Sequence, residues 1–165
     1  MVDGSMTTIT EAALRDAPLI LALQREAYQG EARLHDDFGI APLRQTLEEL
    51  EREMGPKVVL KAVAEDGGIV GSVRAWEKDG TCMIERVIVA PALQGRGIGT
   101  SLMREVEARF AGAARFELFT GHKSARNLRF YAKLGYREFR RQRVSDKLTL
   151  VHLEKRRWRG ILNWE

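Results

Sequence analysis

This chain of 165 residues holds a single cysteine, Cys82. An internal disulfide is excluded, and so is a cysteine-rich zinc site. Cys82 has no histidine partner near it in sequence, so a nucleophile is not expected there. A reducing compartment suits such a chain, and a cytoplasmic location is expected. Histidine is scarce too: His35, His122 and His152 are scattered without metal-ligand spacing. No apolar run approaches the ~18 residues of a membrane helix, and no secretory h-region follows the start, so no membrane partner is expected. The net charge is +4, yet most of it is local. In "KRRWRGILNWE" Lys155, Arg156, Arg157 and Arg159 stand against Glu165 alone. The rest is close to neutral, so no nucleic-acid partner is expected. The basic, aromatic tail, 156–165, has no role legible in sequence, and a homodimer contact is one of several it allows. "MVDGS" before Met6 reads as an expression remnant, which leaves 6–155 as the folded domain.

What is present fits one domain able to bury roughly 70% of its unfolded surface. "TTIT" reads as a strand and "RDAPLILALQREAY" as a helix, with Asp16 as its cap and Pro18 in its first turn. Leu43, Leu47, Leu50 and Met54 are spaced four, three and four, which predicts a second helix with one apolar stripe. "KVVLKAVAE" and "GIVGSVRAWE" flank "DGG" as a hairpin, and "TCMIERVIV" follows "KDG" as another strand. A helix from about Gly97 to Phe110 places Ile98, Leu102 and Val106 on one side. "RFELFT" is strand-like. "SARNLRFYAKLG" is a helix with Ser124 as N-cap and Gly135 as a left-handed stop. "YREFRRQRV" and "KLTLVHLEK" close the chain as strands, the first with a solvated charged face. The order β-α-α-β-β-β-α-β-α-β-β argues for an α/β layer structure with a largely antiparallel sheet.

The segment "VIVAPALQGRGIGTSLM" is the most informative. An apolar run ends at Pro91, Gly95, Gly97 and Gly99 alternate, and a helix begins. A helix start offers unpaired N–H groups and about half a positive charge. Glycines let a bulky anion reach those amides without a Cβ in the way. The register does not match a dinucleotide fingerprint, because the third glycine comes one residue early and no acidic residue ends the next strand. A triphosphate loop needs a lysine that is missing here.

At these residues the sequence resembles the GNAT superfamily of N-acetyltransferases. That family's acetyl-CoA signature, Q/R-x-x-G-x-G/A after a strand, is met by Gln94, Gly97 and Gly99. A second signature is met by Asn127, Phe130, Tyr131 and the closing Leu134-Gly135-Tyr136. The resemblance covers roughly residues 6 to 155 and implies a mixed, largely antiparallel central sheet with helices on both faces. It also implies acetyl-CoA as cofactor, its pantetheine arm lying where the strand 83–89 splays from 115–119. Val87, Ile88 and Val89 would line the arm, with main-chain groups of Val87 and Val89 pairing to it. Gln94, Gly95, Arg96, Gly97, Ile98, Gly99 and Thr100 would hold the pyrophosphate, and Asn127 would reach the arm from the opposite helix. Asn127 could equally serve the first helical turn.

The chemistry sets two further demands. An amine of pKa near 10.4 is neutral only about 0.04% of the time at pH 7, a handicap of roughly 4.6 kcal/mol, and a carboxylate, directly or through water, can take its proton. The departing thiolate then wants a proton, which a phenol can supply. Glu85 and Tyr131 are the candidates. Strand alternation sends Met83, Glu85, Val87 and Val89 to one face, so Glu85 is expected beside the ligand. Glu85 also reads as a residue at a wet strand end or as one paired with an arginine, and Tyr131 as packing beside Leu128 and Leu134. The acceptor is expected to be a small amine or amino-acid-like metabolite, with a peptide amine or a non-catalytic acyl-CoA-binding module as alternatives. "QGEARLHDDFGIAP" would wall the acceptor side, where Glu31, Asp36 and Asp37 would draw in a cation.

Overall fold

The computed structural model describes residues 7–157; the expected leader 1–5 and most of the tail lie outside them. The chain forms β1 (Thr8–Glu11), α1 (Ala17–Ala27), α2 (Gln29–His35), α3 (Ala41–Arg44), α4 (Leu47–Glu53), β2 (Val58–Val63), β3 (Ile69–Lys78) and β4 (Thr81–Val89). After these come α5 (Ile98–Arg109), β5 (Arg115–Gly121), α6 (Ala125–Lys133), β6 (Arg137–Arg143) and β7 (Thr149–Arg156). The seven strands form one sheet in the order β1-β2-β3-β4-β5-β7-β6. Every neighbouring pair is antiparallel except β4 with β5. Helices cover both faces, as the family resemblance implies. On one, α5 buries Ile98, Leu102, Met103 and Val106 against Leu60, Val73 and Ile84. On the other, α1 and α4 bury Ile20, Leu21 and Leu50 against Val59.

Local chemistry sets most of these boundaries. Asp79 and Gly80 both take positive φ between Lys78 and Thr81, the two-residue turn whose twist matches a hairpin. Gly135, φ 97°, ends α6. All of β6 is exposed, as its charge pattern predicts. β7 runs on to Arg156, and the Arg157 N–H still bonds the Ala114 carbonyl just before β5. The Arg157 guanidinium donates to the Glu107, Phe110 and Ala113 carbonyls at and beyond the end of α5, where a cation also meets the negative end of the helix dipole.

Three local expectations are corrected. Asp16 does not cap α1; its carboxylate accepts from the Ala13 N–H and from Lys61, each at 2.8 Å. The helix expected through Leu43–Met54 is two helices, broken where Gln45 is extended. Thr46 and Glu49 then bond each other's N–H groups as a capping box that restarts the chain as α4. The break lets the Gln45 side chain join a buried set: it accepts from Gln24 at 2.9 Å and from Arg74 at 3.2 Å. Residues 29–35, read as the connection between the first two helices, are themselves helical.

The fourth correction matters most for function. In β4 the pairing runs Arg74 with Glu85 and Ser72 with Ile88, so Val73 alone stands opposite Arg86 and Val87. This is a β-bulge, and Arg86 takes φ 53° in it. A non-glycine residue there costs about 1–2 kcal/mol. The extra residue reverses the alternation. Glu85 and Ile88 share the α1 side with Arg74, whose guanidinium meets Gln24 of α1 at 2.6 Å. Val87 and Val89 pack with Ile84 toward α5. Glu85 therefore does not share a face with Val87 and Val89.

Candidate active site

β4 and β5 pair only at Thr81–Met83 with Arg115–Glu117. Beyond that β5 stays with β7 through Gly121, while β4 leaves it. The parting exposes main-chain groups of the second half of β4. Two cavities open along it.

The larger, about 770 Å³, runs over the start of α5. Gly97 is the N-cap of α5, with φ 86°, and Gly95 has φ 78°. A Cβ on either would meet nothing within 4 Å, so bare backbone faces open space here. Gly99 differs: a Cβ there would sit 3.1 Å from the Phe130 ring, so it lets α5 approach α6. Ile98 is buried, its side chain in the core. The Gln94 side chain accepts from Arg126 at the start of α6. Thr100 and Asn127 also line this cavity, and Arg96 is exposed beside it.

The second cavity, about 480 Å³, is closed in by α1–α3, β4, β5 and the β6–β7 hairpin. Glu85 lies in its wall, and Lys57 Nζ stands 2.6 Å from Glu85 Oε1. Lys57 is also 3.5 Å from Glu53, and Glu53 is 3.2 Å from Arg74, which is 1% exposed. Ile88, Arg86 and Tyr28 face the same cavity. Burial pushes the Tyr28 phenol up, against the pull of the Arg86 and Arg74 guanidinium groups. Asp37 lines the cavity and Asp36 does not; Asp36 lies 3.9 Å from Lys147 in the β6–β7 turn.

The cavities meet. Glu31, Asn127, Tyr131, Val87 and Val89 line both. Tyr131 is buried, and its hydroxyl bonds no described residue. Burial first, then the neighbouring Tyr28 and Glu31, push its phenol far above the ordinary value, so it keeps its proton. Asn127 donates to Thr120 at 3.2 Å and to Glu31 at 3.4 Å. Ser124 was expected to cap α6; its hydroxyl donates to Glu31 at 2.9 Å instead. Glu31 is thus held from the other side of the sheet's opening. Burial lifts the Cys82 thiol to about 12, and Cys82 lines neither cavity. Among the described residues no cluster suits a metal ion.

Residues 59–138 match the family model for the acetyltransferase (GNAT) domain. The chain carries a GNAT acetyltransferase domain. No curated protein matches the chain. Among solved structures, the PaiA N-acetyltransferase of Thermoplasma acidophilum in complex with coenzyme A is 18% identical, with a TM-score of 0.71 over 92% of this chain and 99% of that one. The ribosomal-protein-S18-alanine N-acetyltransferase of Escherichia coli is 15% identical, with a TM-score of 0.78 over 97% and 99%. A putative phosphinothricin N-acetyltransferase is 18% identical, with a TM-score of 0.72 over 91% and 98%.

Acetyl-CoA is the donor of a GNAT domain, and the residues here fit it. The backbone at Gly95 and Gly97, free of side chains and backed by the positive end of α5, suits a pyrophosphate. The sequence pointed to this cradle and to Asn127 and Tyr131. It did not point to Tyr28, Arg86 or the place of Glu31 at the junction. Each depends on a contact across the sheet, and a non-glycine bulge leaves no residue signature.

Proposed function

We propose that the domain transfers the acetyl group of acetyl-CoA by direct attack of a small primary amine held in the 480 Å³ cavity. The observation that carries this reading is the shared lining of the two cavities at Glu31, Asn127 and Tyr131. Closure of the acceptor side by the β6–β7 hairpin, through Val144, Ser145 and Leu148, supports a metabolite over a peptide. The neighbouring structures do not choose, since one is named for a ribosomal-protein alanine and another for spermidine.

Bound acetyl-CoA supplies the thioester, and the chain's residues handle position and protons. Gln94, Gly95, Arg96, Gly97 and Thr100, with the Ile98 and Gly99 amides, hold the anionic end. The freed β4 backbone at Val87 to Val89 aligns the arm, and the Val89 N–H polarises the carbonyl. Asn127 fixes the arm from α6. Glu31, at the junction, takes the amine's proton. Glu85, one oxygen already held by Lys57, orients water and draws the ammonium in. Tyr131 donates to the departing sulfur.

The test is a thiol-release assay with acetyl-CoA across a panel of small amines and peptides. Turnover of small amines with Glu31→Gln slowed about 10²-fold, and more than Glu85→Gln, supports the assignment. Preference for peptides, or no release with any amine, overturns it.

A further inference from the structure

Arg86 is out of place in three ways. It holds a left-handed backbone conformation that an arginine rarely adopts. Its Nε is shut off from solvent and has no hydrogen-bond partner among the described residues. It faces the acceptor cavity, where its electrostatic neighbours include Arg74 and the Tyr28 ring.

The carboxylates nearest to Arg86 are already taken. Behind the cavity wall Lys57 and Arg74 meet Glu53 and Glu85, and the lining itself adds Glu31, Asp37 and Arg44. Glu53 is engaged by Arg74 and Lys57, and Glu85 by Lys57. Glu31 is bonded to Ser124 and Asn127. No carboxylate of a described residue stands within ion-pair distance of Arg86. A half-buried guanidinium without an anion is costly, and strain of this kind gathers at ligand sites. A bulge is the device that re-aims one side chain of a strand.

We propose that Arg86 binds a carboxylate of the acceptor, so that the substrate is an amino acid or a close analogue. This deepens the proposed function and rests on it. The planar fork of a guanidinium matches a carboxylate in two parallel hydrogen bonds. The amine end turns toward Glu31 at the junction while the acid end sits on the bulge. A cavity of about 480 Å³ holds a molecule of that size.

The test pairs α- and ω-amino acids with their own carboxamides in the thiol-release assay, for the wild type and for Arg86→Gln and Arg86→Lys. Comparing enzymes cancels the lower amine basicity of the carboxamides. In Arg86→Gln the carboxylate-over-carboxamide ratio of kcat/KM should fall roughly 10²-fold, mainly through KM, the scale of a lost desolvated charge pair. Arg86→Lys should recover part of it. The second readout is the rise in Tm caused by the amino acid alone, present in the wild type and absent in Arg86→Gln. Acetyl transfer with an unaltered ratio and no Arg86-dependent Tm rise overturns the inference and leaves the acetyltransferase reading standing. A Tm rise that needs Arg86, with no transfer to any amine, supports the anion site and overturns that reading instead.

Discussion

Gly121 at the end of β5 faces the ring of His35 so closely that a Cβ there would lie 2.4 Å from Cε1. The ring cannot step aside cheaply. Its Nδ1 donates to the Glu31 carbonyl at 2.9 Å, its Nε2 accepts from the Lys123 N–H at 3.3 Å, and His122 stands 5.3 Å away. This clamp seats α2, and with it Glu31, against the open end of the sheet. Gly121→Ala should therefore cost about 1–3 kcal/mol, the range of an overpacked core. Urea unfolding with an unchanged midpoint would show that the ring is free to move.

Tyr131→Phe separates chemistry from folding. The hydroxyl bonds no described residue, so its loss leaves packing intact. We expect kcat to fall roughly 10²–10³-fold with acetyl-CoA affinity retained. Because burial keeps the phenol protonated, no alkaline limb of the kcat profile should belong to it. Steady-state kinetics at wild-type kcat would remove Tyr131 from the reaction.

Gly97 and Gly99 should part company. At Gly97 a valine meets both the left-handed backbone, about 1–2 kcal/mol, and the space assigned to phosphate. Gly97→Val should lose coenzyme A affinity by more than its loss of stability explains. Gly99→Ala meets Phe130 and should shift stability first. Calorimetric titration beside denaturant melts reads both effects, and equal affinity losses at the two positions would refute the distinction.

Acid should weaken the fold in two steps. His152 is depressed by burial first and then by the Arg140 guanidinium, partly offset by Glu117. It resists protonation in the fold, so stability drops as pH falls through its unfolded value near 6.5. For Asp16, burial raises the pKa, but Lys61, the Ala13 N–H and Arg15 together hold it below 3.8. Its contribution is full above the unfolded value and is lost as pH falls through the lower folded one. Asp16→Asn should cost about 1–3 kcal/mol at neutral pH and flatten the second step. Denaturation midpoints from pH 7.5 to 3 give both, and a variant with the wild-type acid profile would rule Asp16 out.

The chain's own order decided what depends on neighbours within a few residues. Alternating glycines before an apolar helix make an anion cradle whatever surrounds them. Asp79-Gly80 makes a hairpin turn, and Gly135 ends a helix, because the φ each needs is a local property. Tertiary structure decided the rest. Whether β4 carries an extra residue is settled by what β3 offers opposite it, here Val73 alone, and that register moved Glu85 away from Val87 and turned Arg86 into the cavity. The oxygen of Ser124 had a helix N-terminus to satisfy and a carboxylate to meet; Glu31, 93 residues away in sequence, took it. Periodicity reads one element at a time, and a site made where four elements converge belongs to none of them.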